Sequence, residues 1–325
     1  MTSADVRYLW RSAAGIALAL GAIAALNVIA DPYGRFGTPR WRGINDAWDH
    51  VATDLVDRPI PVEGGRYRLH ADARPVVLVG TSAVMLGFDT RRHPEAFNAG
   101  LSGTTLPDAL TLAVAAFARP CPARLVLVEA LPPQPPDDVP PPDLYDWAVA
   151  FPQTVIALRV IAASMLGAGR AHAGTGDFAR TLDPMPSLTS AALDRNVIAL
   201  RASMASLTVV DARATRRSLE PLRRSCAAAQ GTVLLFVPPR HPRILADGDL
   251  LRFQASWLQT LRAAVGDADT SSCRMRVVDL SGAGPTWRED DFASLTHFRP
   301  TVGEWAYARL LAESDSGAPH APGRP

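Results

Sequence analysis

From about residue 74 onward, short apolar runs alternate with longer segments in which apolar residues recur at helical spacing. Continuous apolar runs are typical of strands that are buried on both faces. The runs that predict strands are residues 75–80, 96–100, 124–130, 231–239 and 275–280. The segments that predict helices are residues 107–118, 211–229, 249–266 and 301–313. This alternation predicts an α/β domain over residues 74–315 with a mostly parallel, five-stranded sheet.

Residues 131–210 interrupt the alternation. Their first part, LPPQPPDDVPPPD, is a proline-rich loop that can form neither a helix nor a central strand. The apolar segment that follows predicts one or two helices, but Pro152 and Arg159 divide it, which argues against a second transmembrane span. We expect this insertion to cover the edge of the sheet as a cap; contact with a membrane is the alternative.

The N-terminal segment is uncharged over 19 residues, from residue 12 to residue 30. As a helix this run would be about 28 Å long, close to the roughly 30 Å hydrocarbon core of a bilayer. We interpret residues 1–30 as a membrane anchor, and a cleaved signal peptide ending near Ala30 is the alternative. Residues 31–73 would form a juxtamembrane segment and residues 316–325 a disordered tail. Both interpretations place the remainder on the outer side of a membrane.

Charge and cysteine content narrow the classes of protein. The net charge of the 325-residue chain is only +1, which argues against a nucleic-acid partner. Cys121, Cys226 and Cys273 each precede a predicted strand, so we place them at the N-terminal end of the sheet, and a bridge between Cys226 and Cys273 would fit an oxidising compartment. Their spacing does not suggest a metal site, and no cofactor is expected.

Polar side chains follow each predicted strand, at the sheet edge where open parallel sheets bind ligands. In strand order these are Ser82, the segment from Asn98 to Gly103, Glu129, the pair Arg240 and His241, and finally His297. A serine hydroxyl becomes a useful nucleophile when a base takes its proton, and His297 could be that base. The alternatives are a helix-capping role for Ser82 and a structural role for His297.

Three short segments resemble the conserved blocks of the SGNH/GDSL hydrolase superfamily. VLVGTSAVMLGFDT resembles the nucleophile block, FNAGLSGTT the glycine block, and SLTHFRPTVGEWAYARLL the histidine block in the form found in membrane-anchored bacterial members. The segment DPYG just after the anchor also fits that subgroup. Related folds occur in envelope polysaccharide O-acetylation proteins.

The resemblance implies a flavodoxin-like three-layer sandwich with Ser82 as nucleophile and His297 as base. Gly100 or Gly103 would donate to the oxyanion, with Ser102 in the same substrate-binding region. Apart from the resemblance, Arg240 could bind a carboxylate of the substrate, and a salt bridge with Asp290, Asp291 or Glu304 is the alternative. The activity it implies is that of a serine esterase or O-acyltransferase acting on an acylated envelope glycan. The implied location is the bacterial inner membrane with the domain facing the periplasm, together with a membrane-bound acyltransferase partner.

Two positions depart from the superfamily pattern. Ser294 stands three residues before His297, where the superfamily has an aspartate, so Asp290 or Asp291 would have to supply the acid unless a Ser–His dyad suffices. The third block is missing, and its place holds Glu129. The alternative function is therefore a catalytically eroded protein that binds glycan or serves as a scaffold for a polysaccharide-modification complex.

Overall fold

The structure is a computed structural model of the chain. The residues it describes are 3–31, 41–45, 66, 69–70, 72–101, 103–132, 151–166, 187–205, 211–266, 272–282 and 286–315. The chain divides into two compact units, one made of residues 1–56 and 137–174 and the other of residues 57–136 and 175–325. Most of the predicted juxtamembrane segment, the proline-rich loop from residue 133 and the tail lie outside the described residues.

The first unit contains two helices, α1 (Ser3–Ala30) and α4 (Phe151–Met165). By length and composition alone, the part of α1 from Trp10 to Ala30 is long and apolar enough to cross a membrane. The two helices pack on each other, and the Asn27 amide donates to Thr154 Oγ1 over 3.2 Å. The apolar helix predicted at the start of the insertion therefore belongs to the unit of the N-terminal helix and not to that of the sheet.

The second unit is built on five parallel strands in the order β2-β1-β3-β4-β5. The strands are β1 (Val76–Val79), β2 (Ala96–Asn98), β3 (Leu125–Glu129), β4 (Thr232–Val237) and β5 (Arg274–Asp279). Their register pairs Val79 with Val128 and Glu129 with Phe236, so the carboxyl ends of the central strands meet at one edge. The prediction of a parallel α/β sheet is confirmed.

Helices separate the strands along the chain. They are α2 (Ser82–Gly87), α3 (Leu106–Ala118), α5 (Ser190–Ala205), α6 (Ala212–Ala229), α7 (Pro242–Leu245), α8 (Gly248–Val265) and α9 (Pro300–Asp315). Every residue of β1 to β4 is buried, so both faces of these strands are covered. This explains why these strands are continuous apolar runs and do not alternate between apolar and polar residues.

A disulfide joins Cys226, near the end of α6, to Cys273, just before β5. Cys121, in the segment before β3, is exposed and outside the bridge. All three cysteines thus precede strands, at the end of the sheet opposite to Ser82. The bridge that the sequence left open is present in the structure.

Candidate active site

Ser82 is the first residue of α2, in the turn directly after β1. The helix is capped by Thr81, whose hydroxyl accepts a hydrogen bond from the Ala83 N–H over 3.1 Å. Capping by Ser82 itself, the alternative raised by the sequence, is therefore wrong, and its side chain is available for another role. Ser82 is partly exposed, and no described residue accepts a hydrogen bond from its N–H.

His297 lies in a tight loop between β5 and α9. An antiparallel bridge between Phe292 and Phe298 closes the loop, and the Ala293 N–H donates to the His297 carbonyl over 2.9 Å. Phe298 is fully buried and packs edge-on against Phe88, which follows α2, with 5.4 Å between ring centroids. This aromatic contact fixes the histidine loop against the helix that carries Ser82.

The structure brings the two side chains together across 215 positions of sequence, with His297 Nε2 at 2.8 Å from Ser82 Oγ. The other ring nitrogen, Nδ1, lies 2.7 Å from Ser294 Oγ. Thr296 Oγ1 also approaches Nδ1, at the longer distance of 3.4 Å, so each ring nitrogen contacts a hydroxyl group. This spacing suits proton transfer between Ser82 and His297, since general bases act within about 2.6–3.2 Å of the proton they take.

The surroundings of His297 favour its neutral form. Burial lowers the pKa of the imidazole below its usual value of about 6.5, and no charged group in the described part of the chain offsets this effect. Because a neutral imidazole can accept a proton at pH 7, the electrostatics agree with a role as base. The ring is only partly buried, so it is not sealed in apolar packing.

Asp290 and Asp291 do not supply the missing acid. They belong to a short 3₁₀ helix, Glu289–Asp291, ahead of the histidine loop, and neither forms a hydrogen bond or an ion pair with His297. Asp291 instead accepts a hydrogen bond from the Arg288 N–H over 2.7 Å, because it closes the first turn of that helix. The group behind the imidazole is the Ser294 hydroxyl, which the sequence showed only as a departure from the superfamily pattern.

Gly100 does not offer a free oxyanion donor. Its N–H is buried and donates to the Asn98 side-chain oxygen over 3.0 Å. A Cβ at this position would lie 2.5 Å from the Met85 backbone nitrogen, so glycine is needed for the loop after β2 to approach α2. The Asn98 amide in turn donates to the Val84 and Phe88 carbonyls, over 3.0 Å in each case. The expectation for Gly100 is corrected to a packing role that holds α2 in place.

Gly103 and Ser102 are the other residues predicted for the oxyanion region. Gly103 is exposed with a left-handed φ of 74°, and no described residue accepts a hydrogen bond from its N–H. The loop that carries Gly103 begins beside the turn that precedes Ser82, since the Leu101 N–H donates to the Gly80 carbonyl over 2.9 Å. Ser102 lies outside the described residues. Among the described residues, the N–H groups of Ser82 and Gly103 thus have no acceptor.

Glu129 is hydrogen-bonded to the turn between β1 and α2, which carries Ser82. Its Oε2 accepts hydrogen bonds from both the N–H and the hydroxyl of Thr81, each over 2.8 Å. The carboxyl group is buried, which raises its pKa above the ordinary value, although the bonds from Thr81 act in the opposite direction. Since the Thr81 hydroxyl also caps α2, Glu129 helps fix the backbone that carries Ser82. The sequence identified Glu129 as a departure but not this contact.

Arg240 and His241 follow β4 at the same edge of the sheet. Arg240 lines a small pocket of about 40 Å³ that Thr296, the neighbour of His297, also lines. His241 is buried, accepts a hydrogen bond from the Arg243 N–H on Nδ1, and packs against Phe292 with 5.2 Å between ring centroids. These contacts give His241 a structural role in the loop after β4.

Within the described part of the chain, no group of three or more His, Cys, Asp or Glu side chains could hold a metal ion. Comparison with known proteins identifies no relative, because no family model, curated protein or solved structure matches the chain. The function proposed for this protein therefore rests on the geometry of the site and on the sequence motifs.

Proposed function

We propose that the protein is an SGNH-like serine esterase or O-acyltransferase, anchored in the bacterial inner membrane and acting on an acylated envelope glycan. The observation that carries the proposal is the 2.8 Å contact between Ser82 Oγ and His297 Nε2 at the carboxyl edge of a parallel sheet. The strand order 2-1-3-4-5, with both faces of the central strands covered, supports a flavodoxin-like three-layer fold.

In the proposed reaction, Ser82 Oγ attacks the ester carbonyl while its proton passes to His297 Nε2. The N–H groups of Ser82 and Gly103 stabilise the oxyanion of the tetrahedral intermediate, because both lack an acceptor among the described residues. Collapse of the intermediate breaks the ester C–O bond, and the leaving alcohol takes the proton from Nε2. Water or a glycan hydroxyl, deprotonated by His297, then attacks the acyl-serine and releases Ser82.

Ser294 makes the imidazole a less well-defined base than an aspartate would. The Ser294 hydroxyl can accept a hydrogen bond from Nδ1–H or donate one to an unprotonated Nδ1, and only the first arrangement leaves Nε2 free to accept the proton of Ser82. The N–H groups of Thr296 and His297 also approach Ser294 Oγ, at 3.4 and 3.3 Å, and compete for its lone pairs. These contacts are long and therefore weak, so both tautomers are accessible.

The same observation favours the second candidate, a glycan-binding or scaffolding protein with an eroded site. None of the described carboxylates contacts His297, and loss of the acid from a serine triad lowers kcat by about 10⁴. Under this alternative Ser82 and His297 would bind a glycan hydroxyl without transferring an acyl group. The possible membrane-bound acyltransferase partner fits either candidate.

Two features support the proposed location. The helix from Trp10 to Ala30 suits a membrane anchor, and the described side chains near its start, such as Tyr8, Trp10 and Leu18, are more than 70% exposed. The bridge between Cys226 and Cys273 supports an oxidising compartment outside the cytoplasm, because cytoplasmic thiols are kept reduced.

The test is hydrolysis of 4-nitrophenyl acetate by the full chain in detergent micelles. We expect Ser82→Ala and His297→Ala each to lower the rate by about 10²-fold or more, the usual contribution of a positioned base. Ser218→Ala is the matched control, because its exposed hydroxyl on α6 bonds only to the Ala214 carbonyl. Equal rates of hydrolysis by the unsubstituted protein and by Ser82→Ala would contradict the proposed esterase or acyltransferase activity. The glycan-binding or scaffolding function would then be the remaining candidate.

A further inference from the structure

Arg240 has no hydrogen-bond partner among the described residues. Its Nε atom is buried without an acceptor, although a guanidinium group offers five N–H donors. The carboxylates whose charges act on Arg240 are those of Glu129 and Asp279, and neither is within ion-pair distance of it. Arg240 is partly buried, and a buried guanidinium Nε–H without an acceptor is costly, which points to an anion that completes the site.

Arg240 lies near residues that flank Ser82 and His297. The charge of Glu129 acts on Arg240, and Glu129 Oε2 accepts a hydrogen bond from Thr81, the residue before Ser82. Arg240 also shares the lining of one pocket with Thr296, the residue before His297. The unpartnered Nε–H of Arg240 therefore lies near the residues that flank the Ser82–His297 pair.

The pocket lined by Arg240 suits a small group with a charged end. It measures about 40 Å³, enough for roughly three waters at 10–15 Å³ each, or for one carboxylate group. Its polar lining comes from Arg240, Gln254 and Thr296. The remaining lining residues are Pro132, Leu200, Met204, Val237, Ile244, Leu250, Phe253 and Trp257.

We infer that Arg240 forms an anion subsite, and that the ester cleaved at Ser82 carries a carboxylate which this guanidinium binds. The inference rests on the proposed function. A planar guanidinium matches a carboxylate with two parallel hydrogen bonds, which gives specificity as well as attraction.

Two protein carboxylates lie near enough to compete with the ligand, but both are engaged elsewhere. Glu129 Oε2 already accepts two hydrogen bonds from Thr81. Asp279 Oδ1 accepts from the N–H and hydroxyl of Ser281, over 3.0 and 2.5 Å. A ligand carboxylate therefore has donors on Arg240 that no described residue occupies.

The first experiment compares three chromogenic esters with the full chain in detergent: neutral 4-nitrophenyl acetate, 4-nitrophenyl hemisuccinate with its charge on the acyl side, and 3-carboxy-4-nitrophenyl acetate with its charge on the alcohol side. We expect one charged ester to have the higher kcat/KM, and Arg240→Met to remove that preference. The expected loss is about tenfold to a hundredfold, the effect of a hydrogen bond to a charged group. The preferred ester shows which side of the ester bond the subsite binds.

Arg243→Met is the matched control, because the Arg243 guanidinium is already paired with Asp194 and Glu289. It should retain the charge preference. Equal kcat/KM for all three esters in an active protein, or a preference that survives Arg240→Met, would overturn the inference.

A second measurement separates this inference from the proposed function. Succinate binding to the catalytically silent Ser82→Ala protein is followed by calorimetry, with and without the Arg240→Met substitution. Binding that requires Arg240 supports the subsite even if no ester is cleaved, in which case only the catalytic proposal fails. Binding of equal strength with and without Arg240, or no binding to either protein, would overturn the subsite.

Discussion

At the scale of single residues, the site depends on what stands on each side of the His297 ring. Nε2 contacts the Ser82 hydroxyl, and Nδ1 contacts the Ser294 hydroxyl. An aspartate in place of Ser294 would fix the proton on Nδ1 and would stabilise the imidazolium that forms during the proposed reaction. The neutral serine hydroxyl fixes the proton only partly, and it does not stabilise the imidazolium. The identity of residue 294 therefore controls how strong a base His297 can be.

Ser294→Asp tests this argument. The new carboxylate would hold Nδ1–H, which leaves Nε2 to accept the Ser82 proton, and it would stabilise the imidazolium. We expect kcat for 4-nitrophenyl acetate to rise by about tenfold or more, within the roughly 10⁴-fold that the acid contributes in a complete triad. Ser294→Asn controls for size without charge and should give little gain. A folded Ser294→Asp protein that is no faster than the unsubstituted one would contradict this account of the tautomer.

The pH dependence of the rate follows from the same ring. Burial lowers the pKa of His297, and the reaction needs the neutral imidazole. Activity should therefore rise with pH through a single ionisation below the usual histidine value of about 6.5, and should stay level above it. The profile of kcat/KM against pH measures this ionisation. An apparent pKa above about 6.5 would indicate a neighbouring negative charge that the described residues do not supply.

The sequence indicated Ser82 and His297 because their types and their places after strands are sufficient to suggest the chemistry. It did not indicate that Ser294 binds Nδ1, or that Glu129 binds Thr81, because such contacts depend on side-chain geometry. The expectation that Gly100 donates to an oxyanion failed for the same reason, since a backbone N–H is available only if no neighbour such as Asn98 already accepts it.

At the scale of elements, the helix carrying Ser82 is positioned by close backbone packing against α9. A Cβ at Gly303 would lie 1.8 Å from the Gly87 carbonyl oxygen at the end of α2. Phe298, at the end of the histidine loop, packs on Gly87 in the same region. The contact between α2 and α9 thus sets the distance between Ser82 and His297, although neither glycine touches the reacting atoms.

Gly303→Ala should be destabilising despite the better helix propensity of alanine. The propensity gain is about 1 kcal/mol, whereas forcing a methyl group into a packed contact costs about 1–3 kcal/mol and displaces backbone. We expect a lower melting temperature and reduced ester hydrolysis. Gly248→Ala, at the start of α8, is the control, because its nearest neighbouring atom would be 3.8 Å away. A Gly303→Ala protein as stable and active as this control would show that the helices adjust freely.

The strands and the helices that flank them were predictable because continuous apolar runs and helical spacing directly reflect burial on both faces. The insertion was less predictable. Its apolar helix α4 packs on α1. Helix α5, which the hydrophobic pattern did not specifically predict, contributes Leu200 and Met204 to the pocket beside Arg240. Both segments are apolar in places, and composition alone does not tell which partner an apolar helix face will contact.

At the scale of the whole molecule, the described chain combines a membrane-compatible helix with a disulfide-linked α/β unit. The bridge joins residues 47 positions apart, from the end of α6 to the start of β5. Closing a loop of this length restricts the unfolded chain and contributes about 4 kcal/mol in the chain-entropy description. The stability of the unit is therefore tied to the redox state of its compartment.

Removal of the bridge should lower stability without removing the site, which is at the opposite end of the sheet. We expect the double substitution Cys226→Ser and Cys273→Ser, or treatment with a thiol reductant, to lower the melting temperature clearly. Cys121→Ser is the control and should melt like the unsubstituted protein, because Cys121 is exposed and outside the bridge. A melting temperature that is insensitive to both treatments would mean that the bridge does not form.

The central claim, that Ser82 is a nucleophile activated by His297, is tested most directly by covalent labelling with a fluorophosphonate. In this reaction Ser82 Oγ bonds to phosphorus, fluoride leaves, and the serine proton passes to His297. Intact-mass and peptide mass spectrometry should show one adduct on Ser82 in the unsubstituted protein, and much slower labelling after His297→Ala. No adduct on Ser82, or labelling that proceeds equally fast without His297, would contradict the account.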